Sequence, residues 1–243
     1  RRIQNTNQDR QLILVLKADR YMKLTKVKLI QAIKPGLEKL GYLYLKDSIS
    51  GAQGLFGKKL SNEMYLTLGL TIHRFYDDAF TGSFYLSKTT EWAACYGDMP
   101  KECYKRPGYF LSKEELDSMN QKAPDIWWSG LNEESVASFV NLIQKTESLF
   151  LSQDGLIEKI ENSTDVDILY KRSLWVKRIV ANKIPDIQYN FLPQKNIDNI
   201  PIDWFKAAEI VLAECEVLLN NQTVKVLAAD AYRQYLLDGK FNF

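Results

Sequence analysis

The sequence contains few of the side chains that bind metals or transfer protons near neutral pH. Its 243 residues include one histidine and three cysteines. Cys95 and Cys103 are too far apart for a Cys-x-x-Cys motif, and one histidine is too few for a Cys/His zinc site. The sequence therefore predicts no metal and no cofactor. An odd number of cysteines without a disulfide framework favours reduced thiols, so we expect a cytoplasmic protein.

Long hydrophobic runs are also absent. The apolar run Leu12–Leu16 is five residues long, whereas a membrane-spanning helix needs about 20 residues and a secretory signal at least about seven. The sequence therefore predicts no membrane span and no membrane partner, and it contains no signal, although a signal could have been removed before residue 1. The chain does not begin with Met, which we expect of a fragment or a processed product.

Net charge is low but unevenly distributed along the chain. The formal net charge is +2. Residues 1–59 hold 13 Lys/Arg and 4 Asp/Glu, residues 60–170 hold 9 and 18, and residues 171–243 hold 10 and 8. The first block is thus strongly basic and the second strongly acidic. This asymmetry is typical of electrostatic recognition of an oppositely charged partner, although two solvated surfaces that cancel after folding would give the same pattern.

The hydrophobic pattern predicts strands followed by helices. Apolar and polar residues alternate without a break over Met64–His73 and again over Phe80–Ser87, which predicts two antiparallel strands joined by a hairpin loop. A register that pairs His73 with Thr81 gathers the apolar residues on one face and the hydroxyls on the other. Because strands do not alternate with helices, a parallel sheet is not expected. We predict an α+β fold: an antiparallel sheet of three to five strands with helices on one face, and a helical C-terminal portion.

Capping residues mark the helix boundaries. Thr25 is a predicted N-cap and Gly41 a predicted C-terminal stop for the first helix. The run Ser112–Glu115 has the form of a capping box. We expect an α+β domain over residues 1–151 and a helical portion over residues 152–243, which could also pack as one domain with the first.

A phosphate-binding loop is not predicted. The run Gly51–Lys58 is rich in glycine, but Lys58 is followed by Lys59 rather than by Ser or Thr. A strand rather than a helix is expected to follow it. Backbone cradling of phosphate by a helix N-terminus is therefore not expected here.

His73 supports the one enzymatic hypothesis. It is the only histidine, and histidine is the side chain that titrates near neutral pH. Asp77 or Asp78 could orient it as a general base, and the hydroxyl of Thr81 or Ser83 could act as the nucleophile of a hydrolase. A histidine on a polar surface of the sheet is the simpler interpretation, so an enzyme is not the favoured hypothesis.

Acidic and aromatic residues in the middle block suggest a protein-contact surface. Acids and aromatic anchors can mask a basic partner such as a nuclease, and Trp is enriched at interface hot spots. Consecutive residues of an extended chain point to opposite sides, so one Trp of Trp127-Trp128 could be buried and the other exposed. The candidate binding residues are Asp77, Asp78, Glu91, Trp92, Asp98, Glu102, Trp127 and Trp128.

The basic N-terminal segment gives a third hypothesis. Its positive side chains could contact nucleic-acid phosphates, but the segment lacks the Gly/aromatic signature of an RNA-binding sheet. A solvated lysine face is the simpler interpretation, and nucleic acid is not the favoured partner. The residues concerned are Lys17, Arg20, Lys23, Lys26, Lys28 and Lys34.

One stretch resembles a known family. The run from Ile33 to Tyr42 contains Leu37, Leu40 and Gly41 before an aromatic residue, and the strand through Thr67–Leu70 and the pair Trp127-Trp128 follow it. This order is similar to the bacterial DUF4304-like family of unknown function, over roughly residues 25–150. The resemblance implies a helix followed by a β-meander and no known catalytic residues. Some small α+β proteins of this kind resemble immunity proteins that neutralise bacterial toxins.

These observations favour a non-enzymatic, intracellular protein-binding module, with a toxin-neutralising immunity-type protein as its specific form. The expected partner is a protein, with a basic toxin as the specific candidate. A hydrolase centred on His73 and a nucleic-acid binder that uses the basic N-terminal segment remain the alternatives.

Overall fold

A central antiparallel sheet and seven α-helices make up the described part of the chain. The structure is a computed structural model that describes residues 23–60, 63–91, 103–184 and 197–239. The strands are β1 (Leu43–Leu45), β2 (Gly54–Lys59), β3 (Tyr65–Ile72), β4 (Ala79–Ser87), β5 (Tyr104–Lys105) and β6 (Trp128–Ser129). The α-helices are α1 (Lys26–Lys39), α2 (Lys113–Ser118), α3 (Glu133–Leu151), α4 (Leu156–Glu161), α5 (Thr164–Ala181), α6 (Ile202–Glu214) and α7 (Asn221–Asp238), and Pro107–Phe110 forms a 3₁₀ turn.

The predicted α+β class is confirmed. The sheet follows the order β1-β2-β3-β4-β5 with every pair antiparallel, and β6 pairs with β4. Thr25 caps α1 by accepting a hydrogen bond from the Lys28 N–H, and Gly41 follows the helix with a φ of +85°. Glycine adopts that conformation without the steric penalty that other residues meet. The capping box of Ser112 and Glu115 is present at the start of α2.

The predicted register of the β3–β4 hairpin is wrong by two residues. Thr81 pairs with Thr71 instead of His73, and Ile72 pairs with Phe80. The His73 N–H donates to the Ala79 carbonyl at 2.7 Å, which closes a shorter loop than predicted. Because a shift of two residues keeps every side chain on its own face of the sheet, the predicted division between apolar and hydroxyl faces survives.

The apolar face of the sheet carries the main hydrophobic core. Helices α1 and α3 pack on this face, and glycines in the strands let them approach closely. A Cβ atom on Gly82 would lie 2.7 Å from Phe139, and one on Gly54 would lie 2.5 Å from Ile30. Each fully buried large apolar side chain contributes about 1.5–3 kcal/mol to stability. The buried residues of this face include Leu66, Leu68, Leu70, Phe80, Phe84 and Leu86.

The hydroxyl face is buried rather than open to solvent. Thr67, Thr81, Ser83 and Ser87 each expose 2% or less of their surface. The last turns of α7 cover one part of this face, where a Cβ on Gly57 would lie 3.2 Å from Leu237. The segments around Tyr104 and Ile126 contact another part, since the hydroxyls of Ser83 and Thr81 donate to the Tyr104 hydroxyl and the Ile126 carbonyl. Strand alternation predicted the two faces correctly but could not show that distant elements cover the second.

A second hydrophobic core lies among α5, α6 and α7. It is built around Val176, Trp204, Val211 and Leu227, whereas the first core takes its residues from the range 24–166. The division into a domain at 1–151 and a portion at 152–243 stays a prediction. No helix in the described ranges combines the length and the hydropathy that a membrane crossing requires.

Candidate functional site

The loop between β3 and β4 exposes two adjacent aromatic side chains. We call residues 73–78 the hairpin tip. Phe75 is 79% exposed and Tyr76 is 65% exposed. Arg74 is also exposed, and its guanidinium lies 5.7 Å from the centre of the Phe75 ring. Phe75 and Tyr76 thus form a small exposed aromatic patch, and exposed apolar patches can mark contact surfaces.

His73 fixes the backbone of the hairpin tip from within. Its Nδ1 atom accepts hydrogen bonds from the backbone N–H groups of Phe75 at 3.0 Å and Tyr76 at 3.1 Å. Because an imidazole nitrogen can accept only when it carries no proton, this geometry requires a neutral ring with its hydrogen on Nε2. The histidine therefore acts here as a hydrogen-bond acceptor for a turn.

Two backbone hydrogen bonds hold the other end of the hairpin tip. The carbonyl of Asp77 accepts from the Leu24 N–H at 2.7 Å, and the carbonyl of Asp78 accepts from the Gly130 N–H at 2.8 Å. A Cβ atom on Gly130 would lie 2.5 Å from Leu24, so glycine permits these two segments to meet. The tip is thus held in place by the segment before α1 and by the segment after β6.

Aromatic rings support the hairpin tip from the side. The His73 ring centre lies 4.3 Å from that of Tyr76 and 4.5 Å from that of Trp127, which meets it edge-on. The guanidinium of Arg106 lies 5.4 Å from the Trp127 ring centre and also forms an ion pair with Asp125. These cation–π and edge-to-face contacts are each typically worth about 0.5–1.5 kcal/mol.

The hydrolase hypothesis finds no support in this geometry. Within the described residues, the His73 imidazole has no carboxylate hydrogen-bond partner, and its Nδ1 is occupied by the two backbone N–H groups. The hydroxyls of Thr81 and Ser83 are buried and donate to other groups. A general base needs hydrogen-bond reach of the proton that it abstracts, and neither hydroxyl is bonded to the imidazole.

The predicted binding residues are divided between surface and core. Asp77 is exposed, while Asp78 and Trp127 are half-buried at or beside the hairpin tip. Trp128 is 5% exposed and packs against Phe139 with ring centres 4.9 Å apart, so it is a core residue and not a contact residue. Glu91 is 3% exposed and also does not belong to the surface. The remaining predicted residues, Trp92, Asp98 and Glu102, lie outside the described residues.

Glu91 belongs to a buried ionic cluster that the sequence did not predict. Its carboxylate lies 2.5 Å from Nη2 of Arg233, whose Nη1 lies 2.7 Å from Asp47. The Arg233 Nε–H donates to the Thr90 hydroxyl at 3.2 Å. Asp230, one turn earlier in α7, accepts from the N–H and the hydroxyl of Thr90 at 2.7 Å. Buried charges require partners of this kind.

A second ionic group lies at the end of α7. Asp238 accepts from the Tyr65 hydroxyl at 2.8 Å and pairs with Lys59 at 2.9 Å and Lys177 at 3.1 Å. Burial alone would raise the pKa of Asp238, but the hydrogen bonds from Lys59 and Tyr65 and the charge of Lys177 hold it below its usual value. Burial, followed by the hydrogen bond to Asp238, raises the pKa of the Tyr65 phenol well above its usual range.

Both ionic groups join α7 to the sheet and to the segments around it. The partners of Arg233 and Asp238 come from β2, β3, α5 and the segments after β1 and β4. The only signal in the sequence was the charged side chains at positions 230 and 233, beside the apolar stripe of the last helix. Among the described side chains, no group of three or more His, Cys, Asp or Glu could hold a metal ion.

An open groove runs between α1 and α3. Its volume is about 940 Å³, and it is open to solvent rather than enclosed. Its lining combines small side chains such as Ala32 and Ala137 with the charged side chains of Lys28, Lys39 and Glu133. No histidine or cysteine is among the described residues that line it, so the hairpin tip remains the stronger candidate site.

The chain was compared with models of known protein families, with curated proteins and with solved structures. No family model, curated protein or solved structure matches it. The resemblance to the DUF4304-like family and to immunity proteins therefore stays a prediction from the sequence.

Proposed function

We propose that the protein is a non-enzymatic binding module that contacts a partner protein through the hairpin tip. The observation that carries this proposal is a rigidly held loop that presents Phe75 and Tyr76 to solvent. An apolar side chain normally gains free energy by leaving water. Four hydrogen bonds hold the backbone of this loop, yet the loop exposes two aromatic rings. This combination favours a contact between the two rings and a second molecule.

The energetics favour tight contact at this loop. Full burial of one large apolar side chain stabilises by about 1.5–3 kcal/mol, so Phe75 and Tyr76 together could contribute several kcal/mol to binding. Binding also requires loops and side chains to become ordered, which opposes association. Since His73, Leu24 and Gly130 already hold the backbone of the tip, the backbone part of that entropy loss is small here.

Charge along the chain indicates the kind of partner. At the tip itself, Asp77 and Asp78 follow directly after the two aromatic residues, but Arg74 precedes them and Lys23 lies in the segment that holds the tip, so the local charge is mixed. The block of residues 60–170 is strongly acidic. We therefore propose a basic protein as partner. The aromatic rings of the tip would enter an apolar pocket of that partner, bordered by Lys or Arg. The specific form of this proposal is an immunity-type protein that covers a basic toxin. The proposed location is the cytoplasm, because the cysteine content favours a reducing compartment.

A matched pair of variants tests the proposal. Phe75→Ala/Tyr76→Ala removes both tip rings, and Leu218→Ala removes another large apolar side chain that is 83% exposed elsewhere. Each protein is used to capture partners from cells of the source organism, and the captured partner is then purified and titrated by calorimetry. We expect the wild type and Leu218→Ala to bind the same protein with equal affinity. The double variant should bind at least about 100-fold more weakly, as expected for two hot-spot residues.

The controls separate a lost contact from a lost fold. Circular dichroism and the unfolding midpoint of the double variant should match the wild type, because exposed side chains change stability by only about 0.5 kcal/mol. Equal affinity of the double variant and the wild type for the partner would overturn the proposal. If the partner is a toxin, the wild-type protein should inhibit its activity, and the double variant should leave that activity unchanged.

A further inference from the structure

We infer that the hairpin tip is pH-sensitive: protonation of His73 releases the backbone of the tip and weakens partner binding in mildly acidic conditions. The binding part of this inference rests on the proposed function. The conformational part does not, since it concerns the protein alone.

The hydrogen bonds at His73 give the physical reason. Its Nδ1 accepts from two backbone N–H groups, those of Phe75 and Tyr76. An imidazolium ring carries hydrogen on both nitrogens and has no acceptor left. After protonation, three N–H groups would point at one another, so the ring must rotate or the loop must open.

Rotation of the ring would disturb more than the two hydrogen bonds. The imidazole contacts the rings of Tyr76 and Trp127, at 4.3 Å and 4.5 Å between centres. Tyr76 is therefore held both by its backbone N–H and by its ring. A single protonation thus acts on both exposed aromatic residues, Phe75 through its N–H and Tyr76 through two contacts.

Charged groups of both signs surround the hairpin tip. Asp77, Asp78 and Arg74 belong to the tip itself, and Arg106, beside Trp127, forms an ion pair with Asp125. The titratable and charged groups of the tip and of the segments packed against it are Lys23, Arg74, Tyr76, Asp77, Asp78, Arg106 and Asp125.

Two substitutions at one position test the inference on the protein alone. His73→Asn keeps an acceptor, because an Asn side chain can accept from backbone N–H groups two and three residues ahead, but it does not titrate. His73→Ala removes the acceptor at every pH. Amide exchange and chemical shifts of Phe75 and Tyr76 are measured by NMR between about pH 7.5 and pH 5, the range in which histidine changes its charge. As the chain has one histidine, its imidazole signals report the protonation directly.

The expected pattern differs among the three proteins. In the wild type, the amide signals of Phe75 and Tyr76 shift together with the imidazole signals and lose protection from exchange. His73→Asn should stay protected across the range, and His73→Ala should be unprotected throughout. The inference is refuted if the imidazole protonates while both amides keep their shifts and protection, or if His73→Asn repeats the wild-type change.

Binding to the purified partner tests the regulatory part separately. We expect wild-type affinity to fall about 10-fold from pH 7.5 to pH 5 and that of His73→Asn to change less than about 2-fold. Equal pH dependence of both proteins would refute the regulation and leave the proposed contact surface intact. Loss of the proposed function would instead appear as unchanged affinity of Phe75→Ala/Tyr76→Ala at neutral pH.

Discussion

Arg233 offers the sharpest test of how the two parts of the fold are joined. Its side chain is 3% exposed and donates to Asp47, Glu91 and Thr90. The substitution Arg233→Met keeps most of the side-chain volume and removes every donor. The carboxylates of Asp47 and Glu91 would then stay buried with their cation lost, which is costly in a medium of low dielectric constant.

The expected loss in the free energy of unfolding follows from these buried ion pairs. Removal of one partner of a buried ion pair typically costs about 3–5 kcal/mol. Asp47 keeps hydrogen bonds from the N–H groups of Ile49 and Ser50, which offset part of the penalty. Domain stabilities are about 5–15 kcal/mol, so a loss of about 4 kcal/mol is a large share. With an m value of about 2 kcal/mol per M, the urea midpoint should fall by about 2 M.

Urea unfolding followed by circular dichroism and tryptophan fluorescence measures this loss. Arg178→Met is the matched control, because Arg178 is exposed on α5, and we expect it to stay within about 0.5 kcal/mol of the wild type. Adding Glu91→Gln to Arg233→Met should recover at least about 1 kcal/mol, because it removes one of the two carboxylates that lost the Arg233 cation. The reasoning is refuted if Arg233→Met unfolds within about 1 kcal/mol of the wild type.

Two further predictions concern adjacent tryptophans and one ionic group. Trp128→Ala should lower the free energy of unfolding by about 3–5 kcal/mol, because that ring is in the core. Trp127→Ala should lower it by about 1–3 kcal/mol, through the loss of its contacts with His73 and Arg106, and should also weaken partner binding; equal effects of both on urea midpoints would contradict this. Asp238→Asn should cost about 3 kcal/mol at pH 7 by leaving Lys177 buried without its carboxylate. Because the pKa of Asp238 is lowered in the folded state, the wild type loses the same ion pairs as pH falls through that pKa, so the difference between the two urea midpoints should shrink towards zero in acid. A difference that is independent of pH would show that the carboxylate charge of Asp238 contributes nothing.

Local sequence patterns predicted the elements but not their long-range partners. The alternation through Tyr65–Ile72 was enough to define β3, because a strand with one apolar face has period two. The register was wrong because pairings that differ by two residues place the same side chains on the same faces, so alternation cannot select between them. The faces were still correct, since an even shift preserves them.

The candidate site was also predicted only from local residue types, without the distant partners of those residues. His73, Asp77, Asp78 and Trp127 were identified from their residue types and do lie at or beside the hairpin tip. Phe75 and Tyr76 were not selected, because the sequence does not show whether aromatic residues in a loop are exposed or buried. Glu91, in contrast, was predicted to be at the surface, and its burial depends on a cation 142 residues away. No local pattern can reveal such a partner.

The central claim is that the hairpin tip is the contact surface, and site-specific cross-linking tests it most directly. A photoreactive benzophenone residue is introduced at Phe75 in the full chain, and at Leu218 as an equally exposed control, in cells of the source organism. We predict one dominant adduct with a basic protein from position 75 and none from position 218. Identical adducts from both positions, or a partner that cross-links only at position 218, would contradict the account.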